Sequence, residues 1–129
     1  MSRAKAPRFD ERLFEALSNA PGVSGGEEAV RSLLAERVRD RVDSLEVDPM
    51  GSLVARIEPG RRGRGGSRRG PHVMLCSHMD EVGLMVTEIE KEGRLRFRRV
   101  GGIDPRILPG QVFRIGPKDV RGVVGARPP

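Results

Sequence analysis

The 129 residues contain no tryptophan and no tyrosine, and only four phenylalanines. That scarcity leaves no aromatic platform on which nucleotide bases could stack. It also makes for a lean core, because the apolar share is 36% and a short chain buries a smaller fraction of its surface than a long one. Cysteine occurs once, as Cys76, so an intrachain disulfide is excluded and a reducing compartment is the simplest fit. No long apolar run follows the basic start Met1-Ser2-Arg3-Ala4-Lys5, which argues against a signal peptide and a membrane span. The cytoplasm is the expected location.

The net charge of +6 is concentrated rather than spread. Residues 61–70 hold five arginines and no acid; outside them, 19 basic residues face 18 acidic ones. A loop reading fits this Arg/Gly tract, and a solvated insertion is favoured over an RNA-contacting segment. A nucleic-acid partner is therefore disfavoured. A small basic RNA-binding or assembly module that uses residues 61–70 stands as the alternative function.

Along the chain, Phe9, Leu13, Ala16 and Leu17 recur at helical spacing, which predicts a helix over 8–19 ended by Pro21-Gly22. Ser24 and Glu27 form an S-x-x-E capping pattern ahead of a second helix over 25–41. Its buried stripe is Val30, Leu33, Leu34 and Val38, with Arg31, Glu36, Arg37 and Arg39 facing water. Residues 44–47 and 53–57 read as strands joined by the turn Asp48-Pro49-Met50-Gly51. The apolar run from His72 to His78 predicts a strand buried on both faces, with Cys76 a small buried hydrophobe within it rather than a nucleophile. Strands over 82–89, 95–100, 111–115 and 119–126 follow, separated by Gly/Pro turns. The switch from mixed helix and strand to strand alone places a domain boundary near residue 82. The second part reads as a small barrel-like β module.

The chemistry-bearing pattern is Ser77-His78-Met79-Asp80 at the end of the apolar run. In an extended chain residues i and i+2 point the same way, so His78 and Asp80 project together. A neutral imidazole can ligate a divalent metal while a neighbouring carboxylate orients it. A zinc site needs three or four protein ligands, so the pair alone leaves a structural histidine at a strand end as an open reading. His72, six residues earlier, reads as structural or exposed. No serine sits in a nucleophile elbow, and the glycine-rich segments match neither a P-loop nor a dinucleotide fingerprint.

Five ordered segments then carry a resemblance along nearly the whole chain. They are Ala20-Pro21-Gly22-Val23-Ser24-Gly25 with Glu27; Val47-Asp48-Pro49-Met50-Gly51-Ser52-Leu53; His78-Met79-Asp80-Glu81-Val82-Gly83; Gly101-Gly102-Ile103-Asp104-Pro105-Arg106; and the terminal residues 122–129. With them the sequence resembles the tetrahedral-aminopeptidase (glutamyl aminopeptidase) family of di-metal metallopeptidases, some members of which are labelled endoglucanase. The resemblance implies an α/β fold: residues 1–82 as the N-terminal part of a di-zinc exopeptidase domain, and 83–129 as the start of an inserted β-barrel-like domain that serves oligomerisation. It implies a metal-dependent aminopeptidase that removes N-terminal residues from peptides, with His78 as a metal ligand and Asp80 as the carboxylate beside it in the catalytic centre. Two divalent ions, zinc or cobalt, and homo-oligomers from dimer to dodecamer come with it. It further implies that the remaining ligands, the glutamate base and most of the substrate pocket lie beyond residue 129. The chain is therefore expected to be an N-terminal portion, inactive alone and binding divalent metal weakly, if at all. Glu27, Glu28, Asp48, Glu81, Glu88 and Asp104 match no ligand of the family.

Overall fold

The computed structural model describes residues 9–58 and 72–126. The Arg/Gly tract at 61–70 lies outside the described residues, and with it the alternative reading that rests on it. The chain divides into two units, Met1–Glu81 and Val82–Pro129.

In the first unit, helix α1 spans Glu11–Asn19, later than the residue 8 start read from periodicity. Asp10 sets the boundary, because its carboxylate accepts the Leu13 backbone N–H at 3.1 Å and caps the first turn. Phe9 stays exposed outside the helix and meets Phe14 at 5.5 Å between ring centroids. Helix α2 spans Glu28–Val38, and a short 3-10 turn continues it over Arg39–Arg41. The capping box does not form: the N-cap is Glu27, without a side-chain cap bond. The Glu27 carboxylate instead accepts the Gly25 N–H at 2.8 Å, and the Ser24 hydroxyl turns to Asp80. Val30 is buried, as its place in the stripe predicts. Arg31 does not face water; its guanidinium donates to the Gly51 carbonyl at 3.0 Å and ties α2 to the turn of the first hairpin.

That hairpin pairs β1 (Ser44–Val47) with β2 (Leu53–Arg56) in antiparallel register. Its turn closes as the residue types require. Gly51, at φ 89°, donates to the Asp48 carbonyl at 2.9 Å. The Asp48 carboxylate gathers the N–H groups of Met50 and Ser52 at 2.9 and 2.8 Å.

The expected strand over 72–78 is not formed. A strand is defined by a partner that takes its N–H and C=O groups, and no described segment pairs with this one. Val73, Met74 and Leu75 are exposed, and so is Cys76, contrary to the buried position expected for it. Apolar composition alone had suggested the strand.

In the second unit, β3 (Gly83–Ile89) pairs with β4 (Leu95–Val100), and a bulge falls between Val86 and Glu88. Arg96 reaches both Glu88 and Glu90 on this hairpin. The segment between the hairpins holds a 3-10 turn, Pro105–Ile107, that the strand-only reading missed. Asp104 caps it by accepting the Arg106 N–H at 2.9 Å and pairs with the Arg106 guanidinium at 2.6 Å. Leu108 is buried just after it. A second hairpin joins β5 (Val112–Ile115) to β6 (Val120–Val123). Among the described residues these are separate two-stranded sheets rather than a closed barrel. No helix among them is long and apolar enough to cross a membrane.

Three carboxyls are held below the usual range. For Asp48 the largest cause is the Ser52 backbone N–H, for Asp104 the Arg106 side chain, and for Asp80 the Ser24 hydroxyl. A lowered folded-state pKa adds stability that is complete above the unfolded value and is lost as pH falls through the folded one. Unfolding midpoints are therefore expected to stay level down to about pH 5 and to drop below about pH 4. Asp48→Asn and Asp104→Asn should each shallow that drop. Midpoints that stay flat to about pH 3 would contradict it.

Candidate functional site

The site is assembled by backbone register. The loop after α1 runs beside residues 79–81 through a parallel bridge between Val23 and Glu81. The Glu81 N–H donates to the Gly22 carbonyl at 2.7 Å, and the Gly22 N–H returns a bond to the Glu81 carboxylate at 3.3 Å. Gly22 is buried, and only a glycine fits there: a Cβ would stand 2.9 Å from Val30 Cγ2 and 3.3 Å from the Met79 carbonyl oxygen. The ladder sets Ser24 one residue past the bridge and Asp80 one residue before it.

His78 and Asp80 come together as the i, i+2 argument predicts, although no strand carries them. His78 Nδ1 lies 3.1 Å from Asp80 Oδ1 and 2.9 Å from the Asp80 carbonyl oxygen. Both neighbours of Nδ1 are acceptors, so in the neutral ring this geometry favours the proton on Nδ1 and the lone pair on Nε2. The His78 side chain is 84% exposed and that of Asp80 40%. The second oxygen of Asp80 accepts the Ser24 hydroxyl at 2.5 Å. Ser24, Asp80 and His78 thus form one chain of hydrogen bonds that ends at the exposed imidazole. Sequence reasoning had spent Ser24 on a helix cap, and a bond across 56 positions left no local signal to find it by.

His78 and Asp80 lie along an open cleft of about 650 Å³ that Val30, Met50, Leu53 and Glu81 also line. The other two acids on its wall, Glu27 and Glu81, are each engaged by a backbone N–H. His72 and Cys76 are exposed. Among the described residues no group of three or more His, Cys, Asp or Glu could hold a metal ion. The donor set therefore fits one ligand position, His78 Nε2 with its orienting carboxylate, and not a complete ligand sphere.

Comparison with known proteins bears on the same residues. The family model of the M42 glutamyl aminopeptidases matches residues 61–129. A lysyl aminopeptidase of Pyrococcus furiosus is 36% identical over 123 residues, which is 93% of this chain and 33% of that protein. The crystal structure of an endoglucanase from Thermotoga maritima is 44% identical with a TM-score of 0.72, over 90% of this chain and 34% of the other. A TET1 peptidase from Pyrococcus horikoshii, which can assemble into a tetrahedron or a large octahedral shell, is 36% identical with a TM-score of 0.73, over 92% and 34%. The chain spans about a third of the length of the relatives it matches.

Proposed function

The chain belongs to the M42 glutamyl aminopeptidase family, and from that premise we propose that it is the N-terminal portion of a metal-dependent aminopeptidase that removes N-terminal residues from peptides. Residues 1–82 contribute the beginning of the catalytic α/β domain. Residues 83–129 begin an inserted barrel-like domain through which subunits associate, in keeping with the shells that the TET1 relative forms. The working protein is a cytoplasmic homo-oligomer.

The observation that carries the reading is the anchored imidazole. His78 presents Nε2 as a metal ligand because Asp80 holds the proton on Nδ1 and fixes the ring. Two divalent ions, zinc or cobalt, would when bound supply Lewis-acid chemistry, polarising the scissile carbonyl and acidifying a water. The residues of this chain supply one ligand and its orientation. The general base and the substrate pocket belong to the two-thirds of the relatives' length that the chain does not span.

A graft tests the proposal. Residues 1–129 replace the matched third of the Pyrococcus furiosus lysyl aminopeptidase, and release of the N-terminal residue from a lysyl peptide is followed. Hydrolysis should appear with zinc or cobalt, vanish with a chelator and return when metal is restored. A folded, assembled graft that is inert under every metal condition would refute the assignment.

A further inference from the structure

The Ser24 hydroxyl makes a hydrogen bond whose place in the loop is fixed by other means. The ladder that joins Gly22 and Val23 to Glu81 is made of backbone atoms and the Glu81 carboxylate, so it holds the loop without the Ser24 side chain. Nor does Ser24 cap α2, whose N-cap is Glu27. What the hydroxyl does is occupy one oxygen of Asp80 while the other faces His78.

We propose that Ser24 is a positioning residue of the metal centre: by holding Asp80 Oδ2 it fixes the rotamer that keeps Oδ1 on His78 Nδ1 beside the Asp80 carbonyl oxygen, and so strengthens the preference for the His78 lone pair on Nε2. A carboxylate has two equivalent oxygens and a broad torsion about its terminal bond. Tethered at one side only, it would swing, and the 40% exposed Asp80 would find water instead of the imidazole. Ser24 supplies the second tether. The assignment rests on the reading of His78 as a ligand through Nε2. Its test, however, needs no metal and no activity.

The test uses the 129-residue chain itself. Nitrogen-15 correlation spectra of its two histidines are recorded at about pH 9, well above the usual imidazole pKa of about 6.5. In the wild type His78 should be mainly the Nδ1–H tautomer, with exposed His72 as the internal reference. Ser24→Ala should lower the Nδ1–H population of His78 at least two-fold toward that of His72, and Ser24→Thr, which keeps the hydroxyl, should restore it. An unchanged tautomer ratio in Ser24→Ala would overturn the proposal. So would loss of the Val23–Glu81 bridge in that variant, because Ser24 would then be a tie for the loop and nothing more. Failure of the ligand reading shows elsewhere, in an active graft that is indifferent to residue 78.

Discussion

Replacing His78 by alanine in the graft should lower kcat/KM by more than about 100-fold, with the protein still folded and assembled. The scale comes from the order of the contacts. Residues that only orient a metal ligand cost about 10–100-fold when removed, so loss of the ligand itself must cost more. In free energy that exceeds about 3 kcal/mol of lost transition-state stabilisation. Asp80→Asn should fall within the 10–100-fold band, because the amide can still face Nδ1–H through its oxygen but no longer carries charge. The ordering is the informative part: Ala at 78 worse than Asn at 80. The metal dependence should follow it, with the zinc or cobalt concentration for half-activity raised in both variants. A loss smaller than about 10-fold for His78→Ala would remove this histidine from the ligand set.

The parts of this site that were legible in the sequence are those that depend on neighbours a few positions apart. The proximity of His78 and Asp80 follows from i, i+2 geometry and survives without the strand that was expected to carry it. The turn Asp48–Gly51 follows from residue type: only an open glycine φ and an acceptor at the first position close it this way. The hairpin strands fall within a residue or two of their predicted limits for the same reason, except β6, whose pairing stops at Val123. The illegible parts are tertiary. Val73, Met74 and Leu75 have the composition of a buried strand, yet pairing depends on a second backbone that composition does not reveal. Ser24 is the sharper case. Its S-x-x-E spacing to Glu27 fits a capping box, in which the hydroxyl oxygen would accept a backbone N–H of the first helical turn, but the hydroxyl instead donates to Asp80. The carboxylate of Asp80, charged and brought alongside by the Val23–Glu81 bridge, is a strong acceptor for it. No local pattern could have revealed that partner.

Gly22 joins packing to chemistry, and Gly22→Ala should damage both together. The added methyl would sit 2.9 Å from Val30 Cγ2, in a spot backed by the Met79 carbonyl oxygen at 3.3 Å. Val30 is one of two apolar residues buried among those described, so little else in the first unit can move to make room without exposing it. Overpacking of this kind costs about 1–3 kcal/mol. The strain relaxes most easily by pushing the loop off residues 79–81, which stretches the Glu81–Gly22 backbone bond and draws Ser24 away from Asp80. A lower urea midpoint should thus come with a His78 tautomer shift in the direction of Ser24→Ala, although the contacts of a methyl at residue 22 are to Val30 and the Met79 carbonyl. Val30→Ala removes the offending methyl, so the double variant should be more stable than the two single losses added together, by about 0.5–3 kcal/mol. The Met79 carbonyl is backbone and stays, so rescue should be partial. A Gly22→Ala chain with unchanged stability and an unchanged His78 signal would mean that the loop can accept a side chain there, and that the position of Ser24 is not set by this packing.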